Sequence, residues 1–397
     1  MAGLAAALTA HDKGKDVLVV EASDGVGGRV RTDESDGFLL DRGFQILLTA
    51  YPVAQRVLDY DALDLRRFQP GALIQTGSGQ HRLGDPLRRY EDLVETAKAP
   101  VGSPTDKLRL LGWLRKVRTG TVDDVWRAGE CTTAVRLSDL KFSEQFIDSF
   151  LRPLFAGITL DPELAVTSRF TEFVFRMLSE GYGAVPSRGM GQIGSQLADR
   201  LPEGAIWFNS PVESVDEHSV TLASGETVDA EAVVVATDMD SAEKLVGTPA
   251  LGWNGVTTWW FAADSPPYQD PILFLNGTGS GAINNVAVLS NVSPHYAPAD
   301  KALIAASSPG QSSTADERQV RDELTSWFGP EVADWELLRV DAIERSQPRH
   351  LPGEAVPAPV KLESGIWVAG DHRQNPSING ALQSGRAAAR SVLSSTS

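Results

Sequence analysis

The feature that most constrains this chain is a short unit at its head. Gly3 to Lys13 (GLAAALTAHDK) is rich in Ala and Leu with small residues on one face, Gly14 supplies a helix stop, and Asp16 to Glu21 (DVLVVE) is a β-branched run. The spacing predicts a helix, a tight turn and a buried strand that ends in a carboxylate eighteen residues after Gly3. In a dinucleotide-binding βαβ unit, a glycine at the place of Gly3 lets helix and strand pack closely, and an acid at the end of the second strand takes ribose hydroxyls. An ordinary helix–strand pair ending in a solvated Glu would read the same up to this point.

The next residues separate the two readings. Asp24 to Thr32 (DGVGGRVRT) places Gly27 and Gly28, whose backbone amides can approach a phosphate, beside the fixed charge of Arg29. A plain Gly-rich turn explains the glycines but not Arg29 and Thr32 at this spacing, so a cofactor phosphate is expected here. Near the other terminus, Gly365 to Gly370 (GIWVAG) reads as a last buried strand. Asp371 follows at its carboxyl end, placed to hydrogen-bond a polyol, and Ser377-Ile378-Asn379-Gly380-Ala381 opens a helix over Ile378 to Leu393. A helix start offers free amides and a positive dipole to an electron-rich ring edge. Small-residue packing of that helix on a sheet explains Gly385 and Ala388 but leaves Asp371 without a task.

Charge and cysteine usage exclude other classes. Thirty-six Lys and Arg against fifty-two Asp and Glu give a net charge of −16, which repels polyanions, so nucleic acid is not an expected partner. The single Cys131 rules out a disulfide framework and any cysteine-based metal cluster, and suits a reducing compartment, so a cytoplasmic address is expected. The six histidines show no metal spacing, and His372 reads as a packing or cofactor-edge residue rather than a general base. No apolar run approaches the ~20 residues that span a bilayer. Lys107 to Arg118 (KLRLLGWLRKVR) is a basic amphipathic run in an acidic chain. Its plain reading is a surface helix with one buried stripe, and a peripheral membrane contact is the alternative.

The 397 residues suit two or three domains. Strand-and-helix signatures stand at the start, middle and end. Helical spacing dominates from about Leu83 to Leu178, with helices expected over Arg88 to Lys98, Asp106 to Arg118, Val122 to Ala128, Ser143 to Phe150 and Pro162 to Leu178. Strands are expected over Val256 to Ala262, Val286 to Ser290, Ala302 to Ser307 and Leu337 to Ile343, with a helix from Asp316 to Phe328 capped by Ser313 and Asp316. The expected fold is α/β: a discontinuous Rossmann-like domain formed by 1–60, 186–245 and 351–397, and a substrate domain, with a helical block and a mixed sheet, formed by 61–185 and 246–350. Trp259, Trp260, Phe261 and Tyr268, with Phe142, Phe146, Phe150, Phe155, Phe173 and Phe175, either fill the core or line an apolar cavity between the two.

The segments VLVVEASDGVGGRVRT, DGFLLDRGFQ, RGMGQIGSQLADRLP, AEAVVVATD and IWVAGDHRQNPSINGALQSGRAAA together resemble the FAD-dependent amine oxidase and phytoene desaturase superfamily, which includes protoporphyrinogen oxidases. The resemblance spans nearly the whole chain and is densest in the FAD segments. It implies FAD as cofactor, with Glu21 on the adenosine ribose, Gly27, Gly28, Arg29 and Thr32 on the pyrophosphate side, and Val212 on the adenine through its backbone. Asp371 would hold the ribitol, with Gly370 before it also in the cofactor site, and Ile378, Asn379 and Gly380 near the flavin pyrimidine.

It also implies an oxidoreductase that moves hydride from a substrate C–H to flavin N5. A hydrophobic small molecule, as in a desaturase, is the expected substrate; amine or protoporphyrinogen oxidation, or a non-catalytic scaffold, are the alternatives. The aromatic residue that helps cage an amine beside the final helix is replaced here by Pro376-Ser377-Ile378-Asn379. Lys301 and Lys361 are the nearest lysines by segment to the family's flavin-side lysine, and neither is assigned. Catalytic side chains and oligomeric state stay open. The family's fold opens with a strand and two further glycines, about ten residues in all, ahead of the position of Gly3. A start assigned too late, or a fragment, is therefore expected, together with exposed strand edges and a weakened pyrophosphate cradle.

Overall fold

The structure, a computed structural model, describes residues 1–85, 88–310 and 315–395. The head unit forms as a helix, Ala2–His11, a turn through Gly14 at φ 77°, and a strand, Val19–Val20. The strand expected over 16–21 keeps only two ladder residues because it is bonded on one edge. Val19 N donates to Ala205 O and Glu21 N to Trp207 O, both at 2.8 Å, in a parallel pair with Ile206–Trp207. Backbone alternation turns the polar groups of Leu18 and Val20 the other way.

A second parallel pair joins Val234–Val235 to Trp367–Val368, with Trp367 N donating to Val233 O (3.0 Å) and Ala369 N to Val235 O (2.9 Å). Among the described residues no ladder connects the two pairs. Their free edges, 17–21 and 233–237, line one cleft. The sheet of the α/β layer thus consists of two ribbons on either side of a slot, and Leu18, in a stretch that reads as buried strand, is 38% exposed there.

Glycines bring the covering helices close. Gly385, in the terminal helix Ile378–Ser395, carries no Cβ because one would run into the Ala2 carbonyl oxygen, and a Cβ on Gly3 would sit 3.4 Å from Ala236 Cβ. The hairpin Thr32–Ser35 and Phe38–Asp41 turns through Asp36 and Gly37, both at positive φ (51° and 80°), which is the backbone a two-residue hairpin demands.

A seven-stranded sheet forms the other layer, in the order Glu336–Pro348, Trp253–Ala263, Ala302–Pro309, Asn285–Val288, Leu273–Asn276, Gly71–Thr76, Gly79–Gly84. Its pairs are antiparallel apart from Leu273–Asn276 on Gly71–Thr76. All eleven residues of Trp253–Ala263 are buried, as befits a strand covered on both faces. The Gly71–Gly84 hairpin was not expected, although Gly77-Ser78-Gly79 between two extended runs is its sequence signal.

The helical block contains Leu93–Lys98, Pro104–Arg118, Val122–Arg127, Thr133–Asp139, Arg152–Thr159 and Ser168–Glu180. Pro104–Arg118 begins at a reciprocal cap, Ser103 with Asp106. Two helices, Thr133–Asp139 and Arg152–Thr159, lie outside the expected helical spans, and the segment expected as a helix from Pro162 starts only at Ser168. Asp161 holds that intervening loop instead, its carboxylate accepting from the amides of Glu163, Ala165 and Val166 at 2.7–3.1 Å. The cap of the helix Glu317–Phe328 is Asp316 with Gln319, one reciprocal pair later than expected; Ser313 lies outside the described residues.

Candidate cofactor and substrate site

A cavity of about 2120 Å³ runs from the slot between the two ribbons, past the Gly-rich turn and Asp371, into the space between the seven-stranded sheet and the helical block. Gly3, Glu21, Gly27, Gly28, Arg29, Val212, Gly370, Asp371 and Ile378 all line it. Residues far apart in sequence therefore meet along one wall, in the order the motifs suggested: a carboxylate at one end, glycines and a guanidinium in the middle, a second carboxylate beyond.

The local geometry explains each residue type. Gly27 sits at φ 102°, and a Cβ there would overlap the Val30 carbonyl oxygen, so only glycine closes this turn. Below it, Gly194 leaves room for Gly27, whose Cα would lie 3.0 Å from an added Cβ. Glu21 Oε1 accepts from Ser23 N (2.9 Å) and Ser23 Oγ (2.8 Å), which fixes the carboxylate at the end of its strand. Arg29 reaches across the cleft, donating to Asp371 Oδ1 at 2.6 Å and to Ser346 O at 2.7 Å, and its guanidinium stacks 5.3 Å from the Trp253 ring.

Three expected residues do not line the cavity. Thr32 Oγ1 donates to Asp41 Oδ1 (2.5 Å) and accepts from Gly191 N (2.8 Å). Asn379 Oδ1 accepts from Val53 N (2.9 Å). Gly380 N donates to Ser377 Oγ (3.0 Å), and a Cβ at Gly380 would strike Asn375 O. In this geometry all three brace the walls from behind.

His372 is buried next to Asp371 but outside the lining, with no partner for either ring nitrogen among the described residues, and burial lowers its pKa. His350 is driven to about 4 by burial, so both imidazoles are neutral at physiological pH. Lys301 pairs with Asp264 on the surface (2.6 Å), and Lys361 stacks 4.4 Å from the Trp367 ring, so neither reaches the cavity.

Sequence reasoning missed Asp41, the hub of the site's floor. It is fully buried and accepts from Thr32 Oγ1, Met190 N (2.9 Å) and Tyr296 Oη (2.8 Å). Desolvation outweighs those three bonds and raises it to about 6. Two of its three partners come from residues 149 and 255 positions away, so its burial as a hub is not legible locally.

Of the ten aromatics proposed for the chamber, Phe150 and Phe175 line it; the other eight are core. Phe44, Tyr51, Phe68, Phe170 and Tyr182 supply the rest of the aromatic wall. Tyr51 stacks on Phe173 (5.9 Å) and is held well above the ordinary phenol range by burial.

A known family description, flavin containing amine oxidoreductase, matches residues 1–393. The chain belongs to that family. FAD is accordingly its cofactor. The chain is 28% identical over 304 residues to lysine-specific histone demethylase 1B of Mus musculus, covering 72% of this chain and 33% of that protein. It is 24% identical over 297 residues to coproporphyrinogen III oxidase of Propionibacterium freudenreichii subsp. freudenreichii, covering 62% and 56% respectively. The chain thus spans a third to little more than half of the length of these curated relatives. Cyclohexylamine oxidase from Brevibacterium oxydans superposes with a TM-score of 0.73 at 19% identity, over 100% of this chain and 97% of that one. An oxidoreductase from Methanosarcina mazei gives 0.74 at 16% identity, over 99% and 98%. At such identities the likeness is one of fold: α/β, Rossmann-like, with a mixed sheet.

The residues present fit an FAD. A glycine turn that a Cβ would fill, a guanidinium beside it, and carboxylates at both ends of the cleft match a ribose, a pyrophosphate and a polyol in sequence. Arg29 and Asp371, in direct contact at 2.6 Å, neutralise one another beside the space that the pyrophosphate and polyol would share.

Proposed function

We propose that this chain is an FAD-dependent oxidoreductase that dehydrogenates a neutral, apolar organic molecule held in the chamber beyond Asp371, in the manner of a desaturase. The observation that carries this reading is the chamber wall. Ile46, Leu48, Phe68, Leu110, Leu154 and Phe170 are typical of it, and the acid on that side, Asp85, already pairs with Arg88 at 2.7 Å. Arg88 is consumed in turn by the Leu178 and Gly181 carbonyls, and Lys107 by those of Thr96, Ala97 and Ala99. A cationic amine would find no free carboxylate there, whereas apolar surface leaves water favourably.

In this reading residues 1–60, 186–245 and 351–397 hold the cofactor, and 61–185 and 246–350 hold the substrate. Bound flavin supplies the hydride acceptor. The protein binds the ribose at Glu21 and the pyrophosphate at Gly27, Gly28 and Arg29, turns Asp371 toward the polyol, and keeps water from the reacting carbon with the aromatic wall. Val212 borders the adenine end, Gly3 and Gly370 allow close backbone approach, and Ile378 closes the ring end. Thr32, Asn379 and Gly380 position these groups from behind. Gln347, whose amide donates to Pro376 O at 2.7 Å, fixes the loop before the last helix against the chamber. With Cys131 as its sole thiol, the chain suits a reducing cytoplasm.

Anaerobic mixing of FAD-loaded protein with a polyene, a porphyrinogen or a primary amine tests the proposal. Loss of the flavin's visible absorption with an apolar substrate is the expected result. Bleaching by amines alone, with peroxide released in air, would overturn it.

A further inference from the structure

The two helices that wall the outer end of the chamber have an unusual outward face. Ten large hydrophobic side chains are exposed among the described residues, and five of them fall between positions 90 and 111: Tyr90, Leu93, Val94, Leu108 and Leu111, at 81, 56, 58, 69 and 46%. Single exposed hydrophobics are ordinary, but such a concentration on adjoining elements calls for a partner. On the helix Pro104–Arg118, Asp106, Trp113 and Val117 form the buried stripe. At 100° per residue Leu108 lies opposite Val117, in the middle of the face that a surface helix gives to water.

That face is also basic. Lys98, Arg109, Arg115, Lys116 and Arg118 are exposed on or beside it, while the two acids of 93–118 are spent: Asp106 is buried in its cap, and Glu95 stands 3.5 Å from Arg82. In a chain of net charge −16 this is a local reversal of sign. Leu93 and Leu111 are at once exposed and part of the chamber lining, with Leu110 and Leu114 behind them, so the apolar face is continuous with the mouth of the cavity.

We propose that the face formed by Leu93–Lys98 and Pro104–Arg118 docks on an anionic lipid bilayer and takes its apolar substrate directly from it. This rests on the apolar-substrate reading above. No helix among the described residues is long and apolar enough to cross a membrane, and the geometry is that of a surface-lying helix: Leu108, Leu111, Leu93 and Val94 enter the boundary between headgroups and acyl chains, and Arg115, Lys116 and Arg118 meet the phosphates. A substrate that partitions into lipid then passes from acyl chains to the Leu111 rim and into the chamber without crossing water.

Co-sedimentation with vesicles tests docking without turnover. The full chain is mixed with vesicles of phosphatidylcholine alone or of phosphatidylcholine with phosphatidylglycerol, at low and high salt. Binding to the anionic vesicles, weakened by salt, is expected. Leu108→Asp should weaken it roughly tenfold, and Arg115→Glu with Lys116→Glu by more than tenfold; neither site lines the cavity, and both variants should keep the parent's melting temperature and its bleaching by substrate presented in detergent. Failure to sediment with either vesicle overturns the docking proposal while leaving the apolar-substrate reading to its own bleaching test. Self-association that Leu108→Asp abolishes, with no vesicle binding, also overturns it and assigns the face to a second copy of the chain.

Discussion

Asp41→Asn probes how the floor of the cofactor cleft is held. The Asp41 carboxyl is 1% exposed, and its pKa is raised from 3.8 to about 6, chiefly by desolvation, against the pull of three hydrogen bonds. A folded-state value above the unfolded one means that the native state keeps a proton which the unfolded chain has lost. The stability from this group is full below pH 3.8 and falls as pH rises through about 6. The shift of about two units corresponds to about 3 kcal/mol. Asparagine mimics the protonated acid: its oxygen keeps the bonds from Thr32 and Met190, and its amide donates to the Tyr296 hydroxyl. Urea unfolding of parent and variant between pH 4.5 and 7.5 should show the variant gaining about 2 kcal/mol relative to the parent across that range, the rest of the shift being lost below pH 4.5. The gain should level off above pH 7, since other titrations cancel in the difference. A difference that stays flat with pH would refute the assignment of an ionised, desolvated Asp41 at neutral pH. Because Thr32 in turn holds Gly191, the same variant should narrow any pH dependence of flavin affinity.

Four further outcomes follow from the geometry. Arg29→Ala removes the charge facing the glycine turn and should raise the dissociation constant for FAD by about 10-fold to 100-fold, measured by flavin fluorescence quenching; unchanged affinity would remove Arg29 from the pyrophosphate site. Gly385→Val drives a side chain into the Ala2 carbonyl and should cost about 1–3 kcal/mol in urea unfolding. Leu154→Arg sets a charge in the chamber wall and should raise KM for an apolar substrate about tenfold or more while leaving the amount of bound flavin unaltered. An apolar strand fused ahead of Met1 through a glycine turn should enter the slot between 17–21 and 233–237, raising both the melting temperature and the flavin retained on purification; equal values for a fusion of scrambled polar sequence would show that the edges do not accept a strand.

Residues 3–32 and 365–385 carry much of the cavity wall in their sequence, because glycine turns and acids at strand ends stand at fixed offsets from those strands. That Gly27, Arg29 and Asp371 line one cleft was legible from those offsets. The chamber was less legible: aromatic content does not reveal which ring faces the cavity, and Phe150 and Phe175 differ from Phe146 and Phe155 only in what packs around them. The place of the Gly71–Gly84 hairpin in the large sheet was not legible for a related reason, since its neighbour Leu273–Asn276 lies about two hundred residues away, although its own turn carries a local signal.

The sequence by itself determined that small residues would let a helix lie against a short strand, that an acid would close that strand, and that the summed charge would be strongly negative. Those are consequences of local sterics and of summed charge. Only the tertiary structure decided that Arg29 meets Asp371 across 342 positions, that Asp41 is desolvated, and that two strand pairs line the same cleft. Burial, and the dielectric that comes with it, is a property of the packed chain, and no offset in the sequence encodes it.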